Sequence, residues 1–136
     1  MKKLLSISIL TMSLGMVSHL AMAESHCETY ETEKHYVRVN CSYATDLCTY
    51  QSWNKPRKMG HGQPDLQIAG GRERTVEVNG YFCSRFEFQK GNTAINLDDC
   101  LVDGRPKGSS GELEVLINGQ WKAHYWTYNR KIMKLD

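Results

Sequence analysis

The sequence predicts an all-β domain, a small antiparallel sandwich or barrel of six to seven strands that is supported by disulfide bonds. Three observations favour this fold class. Apolar and polar residues alternate with a period of two in several segments, turn-forming pairs of glycine and asparagine separate these segments, and no segment shows the period of an amphipathic helix. Five cysteines among 136 residues add the expectation of covalent cross-links in a small core.

The first 23 residues have the three parts of an export signal. Two lysines follow the initiating methionine, an uncharged apolar run comes next, and Ala21 and Ala23 provide the small residues of a cleavage site. We therefore predict a signal peptide over residues 1–23 and a single exported domain over residues 24–136. The short signal is typical of bacteria, which predicts a periplasmic or secreted product.

The predicted exported domain has no net charge. The only charged residues of the signal are two lysines, so 15 basic residues face 15 acidic ones in the remainder. Nucleic-acid binding through bulk positive charge is therefore not expected. No later apolar run is long enough for a membrane-spanning helix, so no membrane span is expected after signal removal.

Three turns predict the strand register in the second half of the chain. A two-residue turn at Gly91-Asn92 makes the numbers of paired residues sum to 183. The apolar pairs that then share one face are Phe88–Ile95, Phe86–Leu97 and Phe82–Leu101. Cys83 falls opposite Cys100, which predicts a cross-strand disulfide that stabilises the fold by about 3 kcal/mol.

The two Asn-Gly pairs are predicted to lie in three-residue loops, 78–80 and 117–119, because this choice keeps the apolar face continuous. The pairs that result are Val76–Phe82, Val115–Trp121, Leu113–Ala123, Glu114–Lys122 and Glu112–His124. The predicted strands of this half are 72–77, 81–90, 93–101, 112–116 and 120–128.

The first half of the chain has weaker patterns. Residues 36–43 alternate as a strand, and residues 65–69 form a short strand that ends at Gly70-Gly71. Residues 46–64 show no period and contain two prolines, which predicts a long loop. Residues 129–136 are predicted to be a basic tail, frayed or covering an edge.

The sequence does not determine which of the remaining cysteines form the second disulfide. An exported chain with five cysteines is expected to have one thiol that is free or bonded to another chain. Two of Cys27, Cys41 and Cys48 should form the second bridge, and the sequence does not choose between the pairings.

Two groups of side chains are candidates for binding a partner. The predicted long loop combines an aromatic residue with three bases, Trp53, Lys55, Arg57 and Lys58. Loops on rigid β scaffolds often bind ligands or partner proteins. An aromatic ring beside basic side chains suits an acidic partner or a sugar polymer. The alternative is a solvated loop in which the tryptophan folds back as a lid on the core.

The second group lies on the last predicted strand. His124, Trp126 and Tyr128 share one face of that strand. If this face is exposed, the three rings form an interface strip, and if it is covered they are packing residues.

Catalytic and metal motifs are weak by comparison. His61 in Gly60-His61-Gly62 could act as a general base, but no nucleophile elbow, zinc-protease motif or phosphate-binding loop accompanies it. A new N-terminus at Glu24-Ser25-His26 could hold Cu(II) in a square-planar set of nitrogens, with His26 as the metal ligand. No cofactor is expected.

These observations favour an exported binding protein of the bacterial envelope that recognises a protein partner, as an inhibitor or immunity protein does, and is not an enzyme. The alternatives are a secreted hydrolase or toxin component that uses His61 and a periplasmic copper-binding protein that uses His26. The sequence leaves the oligomeric state open.

Overall fold

Eight antiparallel strands form a closed barrel in which β1 pairs with β8. The computed structural model describes the backbone of residues 25–135 and the side chains of residues 25–128. The strands are β1 (Ser25–Glu31), β2 (His35–Ser42), β3 (Cys48–Asn54), β4 (Leu66–Val78), β5 (Tyr81–Lys90), β6 (Thr93–Asp98), β7 (Gly111–Ile117) and β8 (Gln120–Leu135). The predicted all-β antiparallel fold is confirmed. Of the two predicted architectures, sandwich and barrel, the structure has the barrel, and the predicted count of six to seven strands is too low. The predicted signal peptide lies outside the described residues.

The strand count is higher than predicted because β1 and β3 form in segments where no strand is predicted, and one predicted strand, β8, is also longer than expected. β3 lies inside the predicted loop 46–64, where inward-facing Ser52 and buried Trp53 hide the alternation. β8 continues through residues 129–135 of the predicted tail and pairs there with Ser25–Tyr30 of β1. This pairing closes the barrel, so residues 129–135 are part of the wall.

β4 is one long strand in place of the two short strands that Gly70-Gly71 separates in the prediction. Gly71 lies so close to β5 that a Cβ there would be 2.2 Å from a ring carbon of Phe88. Before this point β4 pairs with β3, and after it β4 pairs with β5. The glycines therefore let the strand bend at a barrel corner without ending it.

The register predicted from Gly91-Asn92 is confirmed, and the two three-residue loops are wrong. Phe86 pairs with Leu97, Phe88 pairs with Ile95, and the Cys83–Cys100 disulfide is present. Both Asn-Gly pairs form two-residue turns with left-handed backbone, with φ of 52° at Asn79 and 54° at Asn118. Continuity of the apolar face was the wrong criterion, because Phe82 is 75% exposed and pairs with Glu77.

The second Asn-Gly hairpin contains a β-bulge that shifts its later pairs. Trp121 pairs with Leu116, and the register then shifts so that Ala123 pairs with Val115 and His124 with Glu114. The predicted pairs Val115–Trp121, Leu113–Ala123, Glu114–Lys122 and Glu112–His124 are therefore not directly opposed. The side chains of Glu112 and His124 nevertheless make contact diagonally across the strands.

The core fills the barrel interior. Its buried members come from seven of the strands and are Tyr30, Val37, Val39, Cys41, Cys48, Tyr50, Ile68, Phe86, Phe88, Ile95, Leu97 and Leu113. The second disulfide joins Cys41 to Cys48 across the β2–β3 turn, and Cys27 is a free, buried cysteine. Two disulfides are compatible with an oxidising compartment. Among the described residues, no helix meets the length and hydropathy of a membrane span.

Candidate functional site

The outer face of β8 carries a row of aromatic side chains. Thr127 is fully buried and Tyr125 packs against the core, so the residues that alternate with them point outward. The bulge after the β7–β8 turn brings one more ring to the same row. We call this row the aromatic strip, and its members are Trp121, His124, Trp126 and Tyr128.

Contacts between the rings hold the aromatic strip in place. Trp121 stacks on His124 with ring centroids 5.9 Å apart and an interplanar angle of 18°. His124 meets Trp126 edge to face at 4.9 Å. Trp121 is 64% exposed and Tyr128 is 38% exposed, whereas the two rings between them are half-buried. The strip is thus an ordered aromatic surface that water reaches.

Carboxylates border the aromatic strip on the side of β7 and β6. Glu112 lies 2.8 Å from Nε2 of His124 and forms an ion pair with it when the imidazole is protonated. Carboxylate oxygens of Glu112, Glu114 and Asp98 lie within 4.8 Å of one another. Because Glu112 already contacts His124 and Asp98 accepts a hydrogen bond from the Cys100 amide, the cluster by itself does not define a metal site.

Asp98 is the buried member of this acidic cluster. Burial raises the pKa of Asp98 to about 6, and the Cys100 amide, which donates to the carboxylate at 3.0 Å, acts in the opposite direction. Glu112 and Glu114 raise the pKa further, whereas Arg85 lowers it. A proton on Asp98 therefore relieves both desolvation and repulsion near neutral pH.

The strand register connects the aromatic strip to the start of the predicted binding loop. Tyr128 lies opposite Glu31, Glu31 opposite Tyr36, and Tyr36 opposite Trp53 on the outer face. The ammonium of Lys55 contacts the carboxylate of Glu31 and lies 4.9 Å from the ring centroid of Tyr36. The two predicted groups thus belong to one continuous outer surface.

Trp53 has the position that the lid alternative predicts. Its side chain is only 1% exposed, its Nε1 donates to the carbonyl of Gly62 at 3.1 Å, and the guanidinium of Arg38 lies 5.2 Å from its ring centroid. The loop after β3 folds over this ring on the outside of the barrel. The Trp53 ring therefore anchors the loop and offers no surface to a partner.

The three basic residues of this loop differ in the contacts that their side chains make. Arg57 pairs with Asp65 at 2.6 Å, and Asp65 also accepts a hydrogen bond from the amide of Asn54. The hydrogen bond from Arg57 is the main reason that the pKa of Asp65 is lowered. Lys58 is exposed. Lys55 holds the loop against β1 through Glu31, and Arg57 joins two residues of the loop itself. Lys58 is the one of the three predicted bases whose side chain has no assigned contact among the described residues.

The two predicted histidine sites lie apart from the aromatic strip. His26 is within β1 opposite Cys41, its ring centroid is 4.9 Å from that of Tyr43, and its buried Nδ1 has no hydrogen-bond partner among the described residues. His61 is exposed in the loop, and no described side chain hydrogen-bonds to its ring. Copper binding and hydrolysis at these positions stay predictions.

Sequence reasoning missed Trp121, Glu31 and Tyr36. The three-residue loop assumed at Asn118-Gly119 turned Trp121 into a core residue, whereas the two-residue turn that an Asn-Gly pair favours places it opposite Leu116 on the outside. The turn signal alone could therefore have identified Trp121 as exposed.

Comparison with known proteins finds no similarity that assigns a function: no family model, curated protein or solved structure matches the chain.

Proposed function

We propose that the protein is an exported binding protein of the bacterial envelope that recognises a protein partner through the aromatic strip. The observation that supports this proposal is the row of four water-accessible rings on the outer face of β8, three of which contact one another. Tryptophan and tyrosine dominate the binding energy of many protein interfaces. An inhibitor or an immunity protein would use such a surface to contact its target.

The aromatic strip is suited to binding because little entropy is lost when it is covered. Three of its rings, Trp121, His124 and Trp126, already contact one another, and β8 is hydrogen-bonded to β7 on one side and to β1 on the other. Side chains that are fixed before binding lower the entropic cost of association. A strand that is paired on both sides has no edge for a partner strand, so recognition here would use side chains.

The surroundings of the aromatic strip have the composition of an interface rim. Glu112 and Glu114 border it along β7, exposed Lys122 lies within the bulge, and the Lys55–Glu31 pair lies beside Tyr128. An apolar centre with a polar, charged rim is the usual anatomy of a specific protein interface. The predicted signal peptide and the two disulfides support action in the periplasm or outside the cell.

The test is capture of a partner from an envelope extract of the producing cell, followed by calorimetry with the purified partner. We expect the Trp121→Ala and Trp126→Ala variants to bind at least tenfold more weakly, because truncated hot-spot residues commonly cost 2 kcal/mol or more. Tyr43→Ala is the matched control, since Tyr43 is 57% exposed and lies at the turn between β2 and β3. Equal affinity of both strip variants and the parent for a specific partner would refute the proposal.

A further inference from the structure

The wall of the barrel opens at one end, where β5 and β6 part. β5 pairs with β6 from Arg85 onward. One further contact follows, in which the Asp99 amide donates to the Ser84 carbonyl and the Ser84 amide donates to the Asp99 carboxylate. The next hydrogen-bonded pair in this register, beyond Cys83 and Cys100, would be Phe82 with Leu101, which the sequence predicts. No backbone hydrogen bond joins these two residues in the described part of the chain, and both are exposed.

A groove of about 670 Å³ occupies the opening between the tip of the β4–β5 hairpin and residues 99–103. We call it the fork groove, and the residues that define it are Tyr81, Phe82, Leu101, Val102, Asp99 and Asp103. The Cys83–Cys100 disulfide crosses its inner end with the two Cα atoms 5.2 Å apart. The disulfide therefore holds the two walls together at the point where the ladder stops.

The backbone of Phe82 faces the fork groove. Along β5 the amide and carbonyl of Ser84 point toward residue 99, and in a strand the residue two positions away points its backbone groups to the same side. Phe82 is directly opposite Glu77 on β4, and this pair is two positions from the Thr75–Ser84 pair. The backbone groups of Phe82 therefore point to the same side of β5 as those of Ser84. The N–H and C=O of Phe82 are therefore available to a strand that enters the groove.

The fork groove is lined by exposed apolar side chains and by two acidic side chains. Tyr81 and Phe82 are each 75% exposed and Leu101 is 64% exposed. The charged side chains that line the groove are Asp99 and Asp103, and Glu77 lies opposite Phe82 on the neighbouring strand. The ligand that complements this surface combines an apolar side chain with positive charge.

We propose that the fork groove binds an extended segment of a partner protein in which an apolar residue is flanked by lysine or arginine. The segment hydrogen-bonds to the backbone of Phe82, its apolar side chain packs between Phe82 and Leu101, and its basic side chains reach Asp99 and Asp103. This is strand addition at the point where the closed barrel exposes a strand edge. The fork groove is separate from the aromatic strip, and the proposal does not depend on it.

The experiment is a nuclear magnetic resonance titration of the isotope-labelled, exported protein with three blocked peptides. The first probe is acetyl-Lys-Val-Leu-Val-Lys-amide, the second has glutamate in place of both lysines, and the third has an N-methyl group on the leucine amide. We expect the lysine peptide to shift the amide signals of residues 81–84 and 99–103. The glutamate and N-methyl peptides should bind at least tenfold more weakly, because one reverses the charge and the other blocks strand pairing.

Matched variants locate the binding. Phe82→Ser and Asp103→Lys should each weaken binding of the lysine peptide at least fivefold. Tyr43→Ser and Glu33→Lys, which change exposed residues elsewhere on the barrel, should not. Unperturbed indole signals of Trp121 and Trp126 verify that each variant is folded.

Several outcomes would overturn the proposal. Equal affinity for the lysine and glutamate peptides would show that Asp99 and Asp103 do not select the ligand. Absence of shifts at residues 81–84 with millimolar lysine peptide would show that the groove does not bind such a segment. Shifts of the same signals with protein concentration alone would assign the groove to a second copy of the chain.

Discussion

The aromatic strip and the fork groove both expose large apolar side chains, but the barrel supports them in different ways. The strip lies on β8, which has a hydrogen-bonded neighbour on each side, and three of its four rings contact one another. The groove lies where β5 has lost one neighbour, and a disulfide continues the connection to residue 100 in place of a ladder. Strand pairing supports the first surface, and a covalent cross-link supports the second.

This difference determines what each surface can recognise. A strand inside a closed barrel has its backbone groups paired, so the aromatic strip presents side chains alone. At the fork groove the backbone of Phe82 also becomes available, so an extended segment can bind there. Asp98 connects the two regions, since its carboxylate lies in the acidic cluster beside the strip and also accepts from the Cys100 amide at the groove.

Removal of the Cys83–Cys100 disulfide should have the largest effect and should separate the two regions. The double variant Cys83→Ala/Cys100→Ala should lose about 3 kcal/mol in the free energy of unfolding, because 17 positions separate the two cysteines and the unfolded chain regains the freedom of that loop. Urea unfolding measures this loss. Amide signals of residues 99–103 should change, while the indole signals of Trp121 and Trp126 keep their positions. Equal perturbation of both regions would contradict their independent support.

The pH dependence of stability tests the residue that joins the regions. The pKa of Asp98 is raised to about 6 in the folded protein, so the unfolded chain loses this proton at lower pH than the folded one. The free energy of unfolding should therefore fall by about 2 kcal/mol between pH 4 and pH 7 on account of this group. Asp98→Asn retains an acceptor for the Cys100 amide and should remove this part of the slope. The free energy of unfolding of parent and variant is measured by urea titration at pH 4 and pH 7. An equal fall between the two pH values in both proteins would show that Asp98 is not desolvated.

His124 tests the rigidity of the aromatic strip. His124→Ala removes two ring contacts and the contact with Glu112, and the protein should lose about 1 kcal/mol of stability. His124→Phe keeps the ring contacts and should recover about half of that loss. Lys122→Ala is the control, because that side chain is exposed. The measurement is the midpoint temperature of thermal unfolding. A lower midpoint for Lys122→Ala than for His124→Ala would contradict an ordered strip.

The smallest effect on stability is expected for the most exposed rings. Trp121 and Phe82 are 64% and 75% exposed, so Trp121→Ala and Phe82→Ala should each change the free energy of unfolding by less than about 0.5 kcal/mol. Each variant should nevertheless weaken binding at its own surface only. A stability loss of several kcal/mol in either variant would assign that ring to structural packing.

The fold class and the β5–β6 register could be predicted from the sequence, because both depend on residues that are close together in the chain. A single turn at Gly91-Asn92 determines the pairing of Phe86 with Leu97 and the position of the Cys83–Cys100 bridge. β3 could not be recognised, because Ser52 faces inward and Trp53 is buried on the outside under a loop. Both facts depend on residues that are distant in the chain.

The candidate site was predicted in part for the same reason. Alternation along β8 places His124, Trp126 and Tyr128 on one face, and that much is local. Whether that face is covered depends on β1, whose pairing with β8 closes the barrel without burying the aromatic strip. The fork groove depends on where β6 ends, and the apolar Phe82 and Leu101 pair suggested that the ladder continues where in fact it stops.

Site-specific photocrosslinking in the producing cell tests the central claim, that the aromatic strip contacts a protein partner. The photoreactive residue p-benzoylphenylalanine would replace Trp121, Tyr128 or, as the control, Tyr43. We expect both strip positions to form an adduct with the same envelope protein and the control position to form none. Adducts at Tyr43 with no adduct at Trp121 or Tyr128 would contradict the assignment of the binding surface to β8.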